Sequence, residues 1–449
     1  MRTTLLAAAL LAAVSLAGLG AAHHVVSASQ EAVTLTEKTQ AGDPAAALGA
    51  QLDLSTRLLD WLQWDTRLTV GQEPETVCTL WPEPPSPQRR GAYWVSLDLL
   101  AGISSSNFPN TNLQLGWLRQ VLDQLPLPTP DQLKVSATVP VSRYLDFYDL
   151  DTALSLPDST LREYDAAGDS VPTAPAARFL YDLEQAFRFP VRPEHQVQVT
   201  LELEEDGGLH FSAWNVEGTE VQIGTHSARS PGWLYFIPQA RTPDGTLWDY
   251  SGTPQGWGIY RLPDHGPYNI RQLEFVAPLE ETQKVLHFSA LEDGSALVLL
   301  TQEENGLVLQ LLDPATGQER QAVPLSGQSE SGWPQQQLYG DLMFLRRSPD
   351  AFSVLVRDRD GQWKLCLEDR LPPQPEDPQA SRLGVPAGAA WDGQRLLLAD
   401  RSSTDCSCSL FVYDATGLVY WGDYTTSLDA GSLGSLRDPA LLAVQAGWS

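Results

Sequence analysis

Four aspartates, Asp146, Asp149, Asp151 and Asp158, crowd one short stretch of the chain. Carboxylates at that density are what glycoside chemistry and calcium ligation both use, as an acid and base pair or as hard oxygen ligands. Their spacing fits no calcium loop, so a solvated acidic loop is the expectation here. The histidines (His23, His24, His195, His210, His226, His265 and His287) show no H-E-x-x-H or other ligand spacing. Beyond the pair at the N-terminal segment they are expected on surfaces and turns. The chain contains no G-x-S-x-G elbow, no P-loop and no G-x-G-x-x-G that opens a helix after a strand. No catalytic residue, no metal site and no cofactor is therefore assigned, and the protein is read as not an enzyme.

Cys78, Cys366, Cys406 and Cys408 are too few for a disulfide scaffold and too irregular for zinc. Inert thiols are the expectation, with a disulfide from the Cys406/Cys408 pair to Cys78 or Cys366 and a metal as the alternatives. The 14 tryptophans are many for this length, and Trp233, Trp248, Trp257, Trp333, Trp363, Trp391 and Trp421 fall within repeats described below. Large aromatics fill cores between sheets, but exposed ones stack on glycans or anchor protein partners. The densest cluster, Trp248, Tyr250, Trp257 and Tyr260, is the candidate surface binding site.

The elements that position these residues follow from pattern. Leu5 to Ala22 is apolar apart from Ser15, Gly18 and Gly20. That length falls between a secretory h-region and a spanning helix. Val26-Ser27-Ala28 before Ser29 satisfies the small-residue rule for cleavage, while the polar stretch to Gln40 suits a tether, and retention is modestly favoured. Residues 1–28 are thus a signal peptide or membrane anchor, and 29–42 a stalk. The protein is expected to be exported, held at the cell membrane by a single N-terminal anchor or secreted.

Residues 43–190 read as a mixed α/β region, whose Leu133 to Leu150 could supply strands to the repeats. Asp43-Pro44 offers a cap and a first-turn proline. Leu48, Leu52, Leu59 and Leu62 then predict a helix to about residue 62. The Pro82 to Pro87 stretch with Arg89-Arg90 reads as a stiff loop, and 92–100 as a strand. Two further helices are expected, one on Trp117, Leu118, Val121, Leu122 and Leu125 stopped by Pro126, and one on Phe179, Leu180, Leu183 and Phe187 before Pro190.

Residues 191–449 form the repeat region. Helical periodicity disappears there, and residues 284–325 divide into strands separated by Asp293-Gly294, Asn305-Gly306 and Asp313-Pro314-Ala315-Thr316-Gly317. Asp-Gly and Asn-Gly supply the positive φ that tight hairpins need, and a four-stranded meander of this length is one propeller blade. Gly218, Gly266, Gly317, Gly361 and Gly417, each taken as closing the turn before a last strand, recur at steps of 48, 51, 44 and 56. Propeller repeats have such a period. The fold class is accordingly mainly β, a propeller-like array of four-stranded antiparallel blades with a smaller α+β N-terminal region and an N-terminal signal or anchor helix.

LLDPATGQERQAVPL and FVYDATGLVYWGDY resemble the D-x-x-T-G turn of quinoprotein-type and WD-like propeller repeats, in which the following strand often carries an aromatic such as Trp421. The resemblance spans about residues 197–430. Quinoprotein dehydrogenases hold their cofactor with adjacent cysteines beside a carboxylate and calcium site, whereas this chain has only Cys406-x-Cys408. The resemblance thus implies the non-catalytic members, which act as extracytoplasmic scaffolds and binding platforms.

Charge narrows the partner. Lys+Arg 29 against Asp+Glu 56 gives a net charge of -27, and removing residues 1–28 takes away only Arg2, so the acidity belongs to the body. Such a chain repels phosphate backbones, which excludes nucleic acid. The expected function is a non-enzymatic, membrane-anchored propeller that binds another envelope or extracellular protein. A glycan-binding or glycan-active protein is the alternative.

Overall fold

The computed structural model describes residues 13–21, 35–58, 62–80, 94–99, 103–105, 116–155, 162–164, 170–205, 207–265, 268–303, 306–327, 335–372, 385–401, 407–426 and 440–449. The cleavage position at Ala28, the Pro82 to Pro87 loop, Asp158, Gly266, Trp333 and Cys406 lie outside them. Residues 13–21 are helical (α1) and exposed. Among the described residues no helix is long and apolar enough to cross a membrane.

The chain divides into two compact units, residues 89–328 and residues 1–88 with 329–449. The expected boundary between residues 190 and 191 falls inside the first of these.

Unit 89–328 contains two regular meanders. One runs β13 (Gln222–Ser230), β14 (Trp233–Arg241), β15 (Gly258–Pro263), β16 (Glu274–Pro278). The other runs β17 (Lys284–Ala290), β18 (Leu297–Glu303), β19 (Gly306–Leu312), β20 (Glu319–Leu325), as the turn dipeptides predicted. Leu297 to Thr301 of β18 are all buried, because a central blade strand is covered on both faces. The D-x-x-T-G turn before β20 owes its shape to Asp313, whose carboxylate accepts from the backbone N–H of Ala315 and Thr316, both at 2.9 Å. The Arg320 guanidinium, helped by those N–H groups, holds this carboxyl down at about 2.

A third sheet in this unit has the order β6 (Ile103–Ser105), β12 (Leu209–Asn215), β11 (Gln196–Leu203), β7 (Lys134–Pro140). Gly218 follows β12 and precedes the first strand of the next sheet, so it does not close a last-strand turn as expected. Beside these sheets lie two hairpin-like pairs, β5 (Trp94–Leu99) with β8 (Leu150–Ser155) and β9 (Arg162–Tyr164) with β10 (Ser170–Pro172). The expected helices α2 (Gly116–Leu122) and α3 (Ala174–Ala186) are present, burying Trp117, Leu118, Val121 and Leu122, and Ala176, Phe179 and Leu183.

The β5–β8 pair is fixed by hydroxyls. Val95 N–H donates to Ser227 Oγ at 3.2 Å, and Ser227 Oγ donates to Val95 O at 2.6 Å. Two residues on, Leu97 N–H donates to Thr225 Oγ1 at 2.9 Å, and Thr225 Oγ1 donates back to Leu97 O at 3.3 Å. Alternate side chains of β13 thus do for β5 what a neighbouring backbone would. This attachment sets the position of β8.

Among the described residues, unit 1–88/329–449 holds three sheets. One is the meander β21 (Gln335–Tyr339), β22 (Leu342–Arg346), β23 (Ala351–Arg357), β24 (Trp363–Arg370). The next is β25 (Gly388–Trp391), β26 (Leu396–Arg401), β27 (Ser407–Asp414), β28 (Gly417–Thr426), extended at its outer edge by β1 (Leu35–Gly42). The last is β29 (Ala440–Trp448), β2 (Ala50–Leu58), β3 (Leu62–Thr69), β4 (Glu75–Leu80). Residues 35–42 are therefore a paired strand, within a segment expected as a stalk.

The helix expected from Asp43 is not there. Asp43 does cap, accepting from Ala45 N–H at 2.9 Å, but only a 3₁₀ turn, Pro44–Ala47, follows. Burial in β2 then alternates, with Leu52, Leu54 and Thr56 inside, and Leu52 sits opposite Leu68 and Leu54 opposite Thr66. Period 2 wins over the chance helical spacing of the leucines, because pairing on both sides satisfies the backbone.

Candidate functional site

The Trp248, Tyr250, Trp257 and Tyr260 cluster is not a surface site. Tyr250 (9% exposed), Trp257 (6%) and Tyr260 (0%) belong to the core of unit 89–328. Their polar tips are met by backbone. Tyr250 Oη accepts from Ala240 N–H at 2.6 Å and donates to Pro238 O at 3.0 Å, Tyr260 Oη donates to Gly256 O at 2.6 Å, and Trp257 Nε1 donates to Glu280 O at 3.3 Å. A buried ring whose tip is satisfied has nothing left for a ligand, and truncating one such as Tyr260 costs about 3–5 kcal/mol of stability.

These aromatics do carry a segment that matters. Phe187 packs edge-on against Tyr260 at 5.0 Å between centroids, and Phe189 against Tyr250 at 5.2 Å. Half-buried Trp248 donates from Nε1 to Pro190 O at 2.7 Å. Arg188 N–H donates to Gly252 O at 3.1 Å, and a Cβ on Gly252 would meet Arg188 O at 2.1 Å, so only glycine permits this approach. Residues 187–190, just past α3, are thus nailed to the blade core.

That segment in turn holds residues 141–149, through Tyr148 N–H to Phe189 O at 2.9 Å and Val191 N–H to Asp146 O at 3.0 Å. Between this loop, β8 and α3 opens a cleft of about 850 Å³, lined among others by Tyr144, Asp146, Tyr148, Asp149, Asp151, Thr152, Tyr181, Glu184 and Arg188. The structure brings Asp146, Asp149 and Asp151, expected in a solvated acidic loop, to one cleft and adds Glu184 from α3, which the sequence reading missed. Glu184 follows buried Leu183 on the helix, a shoulder position beside the apolar stripe, and that was its only sequence signal.

Thr152 Oγ1 donates to Glu184 Oε1 at 2.8 Å. Burial pushes the Glu184 carboxyl up, against the Thr152 hydrogen bond, and the charges of Asp151 and Asp149 push the same way. Burial also raises Asp149. Raised carboxyls in a concave site make this cleft a functional-site candidate. Among the described residues no cation pairs with Asp146, Asp149 or Asp151, and the guanidinium of Arg188 instead lies 3.9 Å over the Phe147 ring. No group of three or more His, Cys, Asp or Glu among the described residues is placed to hold a metal ion.

His195, expected at a surface or turn, is buried at 2% exposure. Its ring contacts Tyr148 of the cleft wall, with Nδ1 3.0 Å from Tyr148 Oη. Cys366 and Cys408 are free thiols, and burial pushes Cys408 up to about 12, an inert state.

No protein-family model and no curated protein sequence matches the chain. Among solved structures, similar folds include a 6-phosphogluconolactonase-like protein from Bacteroides fragilis (11% identity, 90% of this chain and 100% of that one, TM-score 0.28). TolB from Acinetobacter baumannii (12%, 90% and 84%, 0.24) is another. The β-propeller domain of the trilobed protease from Pyrococcus furiosus (10%, 51% and 67%, 0.20) is a third. These likenesses are to propeller-type proteins in general and single out neither the quinoprotein-type nor the WD-like repeats. The propeller-like assignment itself rests on the sheets.

Proposed function

We propose that the protein is a non-enzymatic, propeller-type binding module, exported and held at the membrane by Leu5 to Ala22, whose acidic cleft takes a Lys- or Arg-rich segment of another envelope or extracellular protein. The observation that carries the reading is the set of carboxylates Asp146, Asp149, Asp151 and Glu184 on one cleft, with Asp146, Asp149 and Asp151 unpaired by any cation among the described residues. Tyr144 and Tyr181 on the same walls offer apolar ring surface for the aliphatic stems of such side chains. The net charge of -27 steers a basic partner toward it.

Titration of the full chain with a fluorescent oligoarginine peptide at low salt tests this. Saturable binding weakened by Asp149→Asn with Glu184→Gln is expected, and indifference to the peptide would sink the reading. Recovery of the mature protein with Ser29 at its N-terminus would replace tethering by release.

A second reading, glycan binding, is favoured by one observation. Trp214 of β12 is 57% exposed and lies beside Gln198, which in turn faces Thr138 of β7. A bare indole next to amide and hydroxyl groups is a sugar-stacking arrangement. Glycan-array binding lost in Trp214→Ala would support it.

A further inference from the structure

We propose that His195 is an acid-sensitive latch on the cleft wall, whose protonation releases the segment from Val141 to Asp149. The effect on a bound partner rests on the cationic-partner reading of the cleft, whereas the latch does not.

The latch is a one-way chain of hydrogen bonds. His195 Nε2 lies 3.0 Å from Asn215 Oδ1, which only accepts, so Nε2 carries the hydrogen and Nδ1 is bare. Nδ1 therefore accepts from Tyr148 Oη at 3.0 Å, and Tyr148 Oη accepts from Arg192 N–H at 3.1 Å. Each group in the chain gives or takes the hydrogen its neighbour requires. The backbone repeats the connection, since Val141 N–H donates to His195 O at 3.0 Å. Tyr148 is the junction, because it lines the cleft and sits next to Asp149.

A proton on Nδ1 undoes this in two ways. It places a charge in a site closed to water, and it turns Nδ1 from acceptor into donor, so the phenol hydrogen of Tyr148 loses its acceptor. The groups facing His195 are Arg192 on its own turn, Tyr148 and Asn215, and Glu220 beyond β12, with Glu194 acting on Tyr148. Burial is the main force keeping the imidazole below its ordinary range, and Arg192 adds to it, while the Asn215 bond and the charge of Glu220 oppose it. Glu220 Oε2 is buried with no hydrogen-bond partner among the described residues, which offers a displaced imidazolium a second resting place.

The sign follows from linkage. The latched state binds fewer protons than the released one, so it is fully favoured above the ordinary imidazole value of about 6.5 and is lost progressively below it.

Hydrogen exchange of the full chain at about pH 7 and about pH 5, corrected for intrinsic rates, reads the latch directly. Amides of residues 141–149 are expected to lose protection about tenfold more than those of β18, and His195→Asn, which keeps an acceptor without a titrating ring, removes that difference. Unchanged protection in the parent overturns the latch, and so does an equal loss in the variant, which would assign the effect to Asp149 and Glu184. Should His195→Asn not fold, Asn215→Asp serves, since a carboxylate on Nε2–H favours the imidazolium and moves the loss about one pH unit upward. No upward movement overturns the proposal. Oligoarginine titrated in parallel separates the two readings: release without any peptide binding at neutral pH leaves the latch standing and removes the cleft's cationic partner.

Discussion

Two regions of the molecule gather carboxylates in a concavity, and they treat them oppositely. On the sheet of β29, β2, β3 and β4 a groove of about 360 Å³ is lined by Asp53, Asp65 and Glu75. Asp53 there accepts from Arg67 Nε at 2.7 Å and Nη2 at 3.3 Å, and Asp65 from Ser55 Oγ at 2.6 Å and Gln63 Nε2 at 2.8 Å. The partners are dictated by register, since Asp53 is opposite Arg67 and Ser55 opposite Asp65. In the cleft, carboxylates come from a loop, a strand and a helix, and no ladder supplies them with cations. Charge placed on a sheet is absorbed by cross-strand neighbours; charge assembled from three kinds of element gets no such neighbour.

The sharpest way to break this contrast is Gly252→Ala. The new methyl displaces the Arg188 carbonyl beneath the cleft at a cost of about 3 kcal/mol. Thermal unfolding should fall, oligoarginine binding should weaken, and exchange protection of β2 and β3 should stay as it was; a silent substitution would show that the 187–190 segment does not support the cleft. Next in size, Asp149→Asn with Glu184→Gln should weaken oligoarginine about thirtyfold, roughly 1 kcal/mol per half-buried carboxylate. The matched pair Asp53→Asn with Asp65→Asn should leave it within about twofold, and equal losses in fluorescence anisotropy would erase the distinction.

Acid sharpens it further. Because Asp149 and Glu184 are raised, oligoarginine binding should start to fall at a pH above the ordinary carboxylate value of about 4. By the same sign their charge weakens the fold above that value and ceases to do so below it, so the cleft double variant should melt no lower than the parent at neutral pH. The smallest effect is expected from Arg67→Met, whose exposed partner Asp53 should let the melting midpoint move by about 1 °C or less.

What could be read in advance depended on whether a local rule decided the outcome. β17 to β20 were legible because Asp293-Gly294 and Asp313 to Gly317 fix turns by themselves, and α2 and α3 because apolar spacing and Pro126 and Pro190 agree. β2 and β3 were not, since QLDLSTRL alternates as a strand while Leu48, Leu52, Leu59 and Leu62 also fit a helix, and only pairing with β29 decides between them. The cleft was half legible. Asp146, Asp149 and Asp151 are close in sequence, but Glu184 joins them through the packing of α3 on β8. The aromatic cluster misled for a related reason: the sequence displays the rings of Tyr250 and Tyr260 but not the carbonyls that satisfy their hydroxyls.

β1 pairs with β28, and β29 with β2, so strands from opposite ends of the chain finish each other's sheets. A nascent polypeptide, made from its N-terminal side, presents β2 early and must keep that edge unpaired until β29 emerges. The hydrogen-bonding row of β2 is in the meantime a template for stray strands. Unit 1–88/329–449 therefore cannot complete its folding until β29 has been made, whereas unit 89–328 can fold as it appears. Such a chain would depend on a holding chaperone for one unit only, for as long as the last strand is missing.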